Sequence, residues 1–401
     1  AFLRASDPLD NSTSGYNSKS GNTIFGYDAG SQIVQNNGAG HSNTYIGHFA
    51  GHGNASGDHN TFLGHIAGGT AGSGDDNVAI GSYSGYNFVT GDANILVGQS
   101  SGFNMRSGSN NVAIGDNALY TSHGTAQSTV IGSFAGYSVT TGTGVVGLGY
   151  KAGYANKGQG QWIAIGYEAM GGTPGTNEAA GEAIGYRSMY QAMDGASGTA
   201  LGNSTLENLV GDYSVGIGGE AGRYATGSFN TFVGFSSGKG GTTSAPFSSG
   251  QKNVAIGYQS FDAFTTGYNN TVLGYKAGTS VTSGYSNVLI GYEAAEVIST
   301  GYENVVIGAN PSQANLQQST LIGFNAGKEG TAHNVVGIGY RAIGQGTLTT
   351  GANGTVAIGK DGAINAGLFA ASIVSLNDLK IRKNLNLLRK KQSNKVKKKP
   401  K

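Results

Sequence analysis

Residues 60–66 read NTFLGHI, residues 77–83 NVAIGSY, residues 94–100 NILVGQS and residues 111–117 NVAIGDN. Glycine holds the same place in each copy, and the copies begin 17 residues apart. Aligned on that glycine, the phrase recurs twenty times from Gly26 to Gly359, and eleven of the nineteen intervals are 17 residues, the others running from 15 to 23. The residue before the glycine is apolar in every copy, and three residues after it Ala or Ser stands in seventeen. A further glycine follows four residues after it in eleven copies. Asn recurs four residues before it, as Asn60, Asn77, Asn94, Asn111, Asn253, Asn287 and Asn304.

A period of 17 is too short for a stacked helix pair, which needs about 30 residues. It suits one coil of a β-solenoid with two short strands and two turns. The run N-T/V-x-I-G is β-branched and apolar, as a strand should be. Stretches such as NASGDH and NMRSGSN carry turn residues. The sequence therefore predicts an all-β, elongated β-solenoid or β-roll of about twenty coils. Leu63, Ile80, Val97, Ile114, Ile131, Ile165, Ile256, Leu273, Ile290 and Ile307 are expected to stack as the core column. Gly64, Gly81, Gly98, Gly115, Gly132, Gly166, Gly257, Gly274 and Gly291 are expected to turn the chain. The Asn residues are expected to form a second ladder, linked through their amides.

The residue two before the glycine is Phe62, Ala79, Leu96, Ala113 or Val130 in successive copies, and never charged. Alternation along a strand points it away from its neighbour, so both faces of the strand are apolar. One face fills the coil's thin core, and the other lies against something, most economically another subunit. Phe62 and Leu96 are the candidate interface residues on this reading, and a monomeric solenoid with a wider core is the other. Tyr27, Tyr150, Tyr167, Tyr186, Tyr258, Tyr275, Tyr292 and Tyr340 share the position after the glycine. Facing outward they make a stripe able to stack on sugars; facing inward, Tyr167, Tyr258, Tyr275 and Tyr292 seal a subunit interface, the reading their regularity favours.

Composition narrows the function. Of 401 residues, 72 are Gly and 5 Pro, and charged residues make up 11% against the usual ~25%. No Gly-X-Y period is present, which excludes collagen. Residues 380–401 hold 11 of the 24 Lys and Arg and no acid, leaving residues 1–379 at a formal charge of −9. A mildly acidic body offers no broad patch for phosphates, so no nucleic-acid partner is expected. There is no cysteine, so disulfide and thiolate chemistry are absent. No run of 18 apolar residues would span a membrane as a helix.

Residues 1–20 lack the phrase and read as an irregular linking segment, 21–362 as the repeat domain, 363–390 as a short stalk or cap, and 391–401 as a disordered basic tail. Gly171–Gly181 departs from the period, and KGGTTSAPFSSGQ within the 23-residue interval after Gly234 reads as a surface loop.

The copies NTFLGHIAG, NVAIGYQS, NTVLGYKAG and NVLIGYEA resemble the glycine-rich repeats of viral and bacteriophage tail-fibre proteins. They are also similar to the head repeats of YadA-like trimeric autotransporter adhesins, whose core phrase is close to x-V-A-I-G-x-x-A. The resemblance covers residues 21 to 362. It implies an intertwined homotrimer, extracellular or virion-exposed, that mediates attachment to a host cell-surface glycan or protein. Ile80, Ile114, Ile256 and Ile290 match the core isoleucine of that phrase, and Gly81, Gly115, Gly257 and Gly291 its turn glycine. The phrase brings no catalytic residues. Nothing here resembles the membrane β-barrel anchor of the adhesins or the self-cleaving chaperone of many phage fibres.

Chemistry has few footholds. Five of seven histidines, His41, His48, His52, His59 and His65, cluster in sequence, and His48 and His65 should stack one coil apart. A zinc site needs three or four converging ligands, and Asp58 is the one acid in that turn, so an exposed histidine cluster is the simpler reading. Asp75-Asp76 has no EF-hand spacing, no G-x-S-x-G elbow occurs, and the many GxxxxG matches lack the P-loop lysine. A depolymerase would need paired carboxylates; Glu168 and Glu293 occupy equivalent positions in distant repeats and cannot meet in a straight rod. An ice-binding ladder of Thr-x-Thr is not present. No catalysis, metal or cofactor is expected. A fibre or adhesin segment leads, and a filament subunit without a receptor site is the alternative.

Overall fold

The structure, a computed structural model, describes residues 3–5, 21–33, 40–70, 72–157, 160–172, 180–192, 197–241, 247–310, 316–327, 333–342, 356–358 and 379–396. It divides into two compact units, Ala1–Lys239 with Thr243–Ser248 and Gly240–Thr242 with Ser249–Lys401. Each is a parallel β-solenoid. In the first unit thirteen strands, Thr23–Phe25 to Thr231–Val233, advance one per coil; in the second, seven run from Val254–Ile256 to Val356–Ile358. Pairing is parallel and in register, as in Thr61↔Val78, Phe62↔Ala79 and Leu63↔Ile80. One antiparallel strand, Leu3–Ala5, pairs with Thr23–Phe25 at the edge of the first unit.

Each coil carries one strand, not the two expected. The rest of the coil is a chain of turns, because left-handed residues recur two and four positions after the aligned glycine, at Ser100 and Gly102 for example. Left-handed backbone cannot extend into a strand. These turns still bond to the next coil: Gly68 N–H donates to Ser84 O at 2.9 Å, Thr70 N–H to Tyr86 O at 2.8 Å and Gly72 N–H to Val89 O at 3.1 Å. Isolated bridges such as Ala126↔Thr143 are what remains of a second strand.

The core column is not the one the sequence suggested. Phe62 is 1% exposed, whereas Leu63 is 42% exposed. Ile114, Ile131, Ile256 and Leu273 are likewise exposed, and Ile80, Val97, Ile165, Ile290 and Ile307 half-buried. Conversely Phe62, Ala79, Leu96, Ala113 and Val130 fill the coils, so Phe62 and Leu96 are core rather than outward residues. The reason is strand length. A three-residue strand points only its middle side chain inward and its two outer ones away.

The inward column varies from Ala to Phe, and in many coils the position four after the glycine compensates. Ala79, Gly147 and Gly216 are instead paired with Gly85, Gly153 and Gly222, and the space is filled by Leu96, Trp162 and Phe232 of the next coil. Where the strand offers Phe62, Leu96 or Phe232, glycine stands four after the aligned glycine, and a Cβ on Gly68 would lie 2.5 Å from the Phe62 ring. Where the strand offers Ala113, Ala164, Ala183, Ala200 or Ala255, the same position is Leu119, Met170, Met189, Leu206 or Phe261, all buried. These residues hold φ near +50°, at a cost of roughly 1–2 kcal/mol. Burying a large apolar side chain offsets it by about 1.5–3 kcal/mol.

The aligned glycines are turn residues as expected. Gly64, Gly81, Gly98, Gly115, Gly132, Gly166, Gly257, Gly274 and Gly291 take φ from +129° to +142°. A Cβ on Gly81 would sit 2.5 Å from Gly98 O of the next coil, so the contact between coils admits no side chain. The asparagine ladder also forms. Asn77 N–H donates to Asn60 Oδ1 at 2.9 Å, and Asn77 Nδ2 to Gly91 O at 2.9 Å. Asn94 and Asn111 repeat the pattern, as do Asn270, Asn287 and Asn304 in the second unit. Buried amides are thereby satisfied along each column. Between residues 160 and 218 the ladder is replaced by Trp162, Gly181, Gly198 and Ser214. Strands there lengthen to four or five residues, with Ala180–Ile184 pairing along its whole length to Ser197–Leu201.

A helix, α1, spans Leu379–Val396. It crosses the 390/391 boundary expected between stalk and tail, so residues 391–396 are helical rather than disordered. The stalk residues 363–378, most of the linking segment and most of the Gly171–Gly181 irregularity lie outside the described residues.

Candidate binding surface

Because the middle strand residue faces in, the two flanking it form an outward face. One column is Thr61, Val78, Ile95, Val112 and Thr129 in successive coils; the other is Leu63, Ile80, Val97, Ile114 and Ile131. Among the parallel strands described, Glu182 is the one charged residue on this face, and it accepts a 2.8 Å hydrogen bond from Thr199 Oγ1. Thirteen rungs at about 4.8 Å make the strip in the first unit roughly 60 Å long.

Beside this strip run the residues that follow the glycine. Tyr150, Tyr167 and Tyr186 stack at 5.1 and 5.5 Å, and Tyr258, Tyr275 and Tyr292 at 5.4 and 5.2 Å. All six are exposed, so they point out from the coil. Neighbouring rings occupy each other's faces and present edges to water. A sugar stacks on a ring face, so the middle of such a column offers it no platform. Acids in the turns act on both columns: the Glu168 carboxylate beside Tyr167 pushes its hydroxyl pKa up, and Glu293 beside Tyr292 does the same for that ring.

A second aromatic column escaped the sequence reading. Tyr86, Phe103, Tyr120, Tyr137 and Tyr154, each five residues after the aligned glycine, stack at 4.9, 4.9, 5.0 and 5.3 Å. A third, Tyr268, Tyr285 and Tyr302, stacks at 4.9 and 5.0 Å. Both are visible as a fixed offset from the glycine once positions beyond the strand are aligned. They tie turns together as the core ties strands.

The histidines form a stack and two contacts with carboxylates. His48 and His65 lie 5.2 Å apart between ring centres, with Tyr27 beyond His48 at 5.4 Å. His52 approaches Asp28 at 3.4 Å and His59 approaches Asp76 at 3.6 Å. Among the described residues no three His, Asp or Glu side chains converge as metal ligands.

The largest electrostatic feature lies where the asparagine ladder is interrupted. Arg187 approaches Glu168 and Glu207 at 3.6 Å each; Arg223 bonds Glu207 and Glu220 at 2.8 Å each; Lys239 bonds Glu220 at 2.8 Å. The hydrogen bond from Lys239 holds the Glu220 carboxyl below its usual range. Each acid is neutralised by a cation, so the network links coils and leaves no carboxylate pair poised for acid–base chemistry. No described helix is long and apolar enough to cross a membrane.

No protein-family model matches the chain, and no curated protein or solved structure matches it.

Proposed function

We propose that the chain is a structural fibre or adhesin segment, assembling as a homotrimer and attaching a virion or cell to a surface or host. The observation that carries this reading is the outward sheet face, an apolar strip interrupted by one charged residue. Water-exposed β-branched columns of this extent gain by pairing with a second copy, since burial stabilises by about 25 cal/mol per Å². The tyrosine columns flank the strip and would form its margin, where aromatic residues with a polar edge are favoured. On this reading the protein works at the cell exterior or virion surface, without catalysis or cofactor.

A filament subunit joined end to end is the second reading. The antiparallel strand Leu3–Ala5 weighs against it, because it occupies the edge of Thr23–Phe25 on which another parallel coil would stack. Sedimentation of the whole chain tests the reading. A trimer mass is expected, with Ile80→Lys and Ile114→Lys together giving a folded monomer. A wild-type monomer at micromolar concentration would sink the trimer, and an open-ended series of masses would favour the filament.

A further inference from the structure

Helix α1 differs in charge from the chain before it. Its eighteen residues, LKIRKNLNLLRKKQSNKV, hold seven Lys and Arg and no acid. Residues 1–379, by contrast, carry a formal charge of −9. The sequence continues KKKPK, so eleven cations fall within residues 380–401.

Two sides of the helix are distinct. Ile381 is half-buried and Leu385, one turn on, is 7% exposed, so this side is packed. Lys383, Leu387 and Lys390 follow one another at intervals of four and three residues, which puts them on one face. All three are exposed, Leu387 at 62%. At about 100° per residue their face is turned roughly 170° from the packed one. The helix thus shows water a leucine held between two lysines.

Charge selects what can cover that face. A second copy of α1 would bring seven more cations and no acid to pair with them, so helix-to-helix pairing is opposed by repulsion. The complementary partner is anionic, and Leu387 separates the anionic classes. A nucleic acid takes up cations at its phosphates, and its backbone offers no apolar layer for a leucine. An anionic bilayer offers both, headgroup charge for lysines that snorkel and hydrocarbon beneath for the leucine.

We propose that the Lys383–Leu387–Lys390 face of α1 docks on an anionic phospholipid surface, with the lysines at the headgroups and Leu387 inserted between them. Because residues 1–379 are acidic, attraction to such a surface is confined to the segment that carries α1. The contact goes beyond attachment through the solenoid and holds for a monomer or a trimer.

Co-sedimentation of the whole chain with phosphatidylcholine vesicles containing about one-third phosphatidylserine, at about 0.1 M salt, tests the contact. Pure phosphatidylcholine vesicles and a short DNA duplex serve as the other probes. Binding to the anionic vesicles alone of the two lipids is expected, falling as salt is raised. Lys383→Gln with Lys390→Gln should weaken it about 25-fold, at about fivefold for each cation. Leu387→Gln should weaken vesicle binding by about fivefold and leave any binding to the duplex unchanged. Melting should stay at the wild-type value in both variants, since all three positions are exposed. Absence of binding to anionic vesicles, equal binding to neutral ones, tighter binding to the duplex, or full vesicle binding by Leu387→Gln would overturn the proposal. A lower sedimentation mass in the lysine variant without vesicles would assign the face to a second copy instead.

Discussion

Two stretches of the first unit solve one problem differently. Between Asn43 and Ser128 the coils keep a 17-residue spacing and join through buried asparagines. Between Trp162 and Lys239 the spacing wanders from 16 to 19, and glutamates and arginines join the turns instead. The amide fixes the level of neighbouring strands rather than the length of the coil, since Asn22 and Asn304 make the same bonds across intervals of 21 and 15 residues. Long charged side chains reach over turns of unequal length. Within these two stretches the asparagine-joined coils are uniform, and the turns of unequal length are the ones that charged side chains join.

The largest effect should come from exchanging one core solution for the other. Phe62→Ala alone should cost about 4 kcal/mol through the void it leaves. Gly68→Leu alone should cost more than about 3 kcal/mol, because its side chain enters the Phe62 ring. Together they imitate the Ala113 and Leu119 arrangement, and urea unfolding should find the double variant more stable than either single one. Simple additivity would break the size-matching account.

Asn94→Leu should cost about 3 kcal/mol. It strands Gly108 O and the Asn111 N–H in a buried column, both now bonded to Asn94. Loss confined to well under 1 kcal/mol would mean the ladder is ornamental. In the other stretch, Arg223→Met leaves buried Glu207 with only the 3.6 Å contact to Arg187. About 2 kcal/mol is expected at neutral pH, since the pair is partly exposed.

Acid should separate the stretches further. The Glu220 carboxyl is held below its usual range in the fold, so its contribution is present above the ordinary carboxylate range and lost as pH falls through the lowered value. Amide exchange is expected to rise around residues 214–239 before the asparagine-laddered coils open. The reverse order would contradict the assignment. The smallest effect is expected of His65→Tyr, within about 0.5 kcal/mol, because tyrosine already serves that position in eight other coils.

The sequence disclosed the solenoid, the turn glycines and the asparagine ladder because each is a strict repeat with one physical cause. It did not disclose which apolar column faces in. In Thr61–Leu63 both directions carry apolar side chains, so alternation supplies no sign. The discriminating signal lay outside the strand, where Gly68 answers Phe62 and Leu119 answers Ala113. The charge network stood at fixed offsets too, with Glu207, Arg223 and Lys239 five residues after their aligned glycines and Glu168, Arg187 and Glu220 two after, but these positions lie in the turns, outside the strand phrase that drew the reading.

The hydrogen bonds between coils have a mechanical consequence. Those of the strands and turns run along the direction in which coils stack, so tension applied at a unit's end loads the outermost coil first. That coil peels away before the next is strained. A 17-residue coil drawn out to full extension adds roughly 60 Å of chain. A tether built this way yields in steps of one coil, absorbing a sudden pull at its end while the coils behind it stay shut.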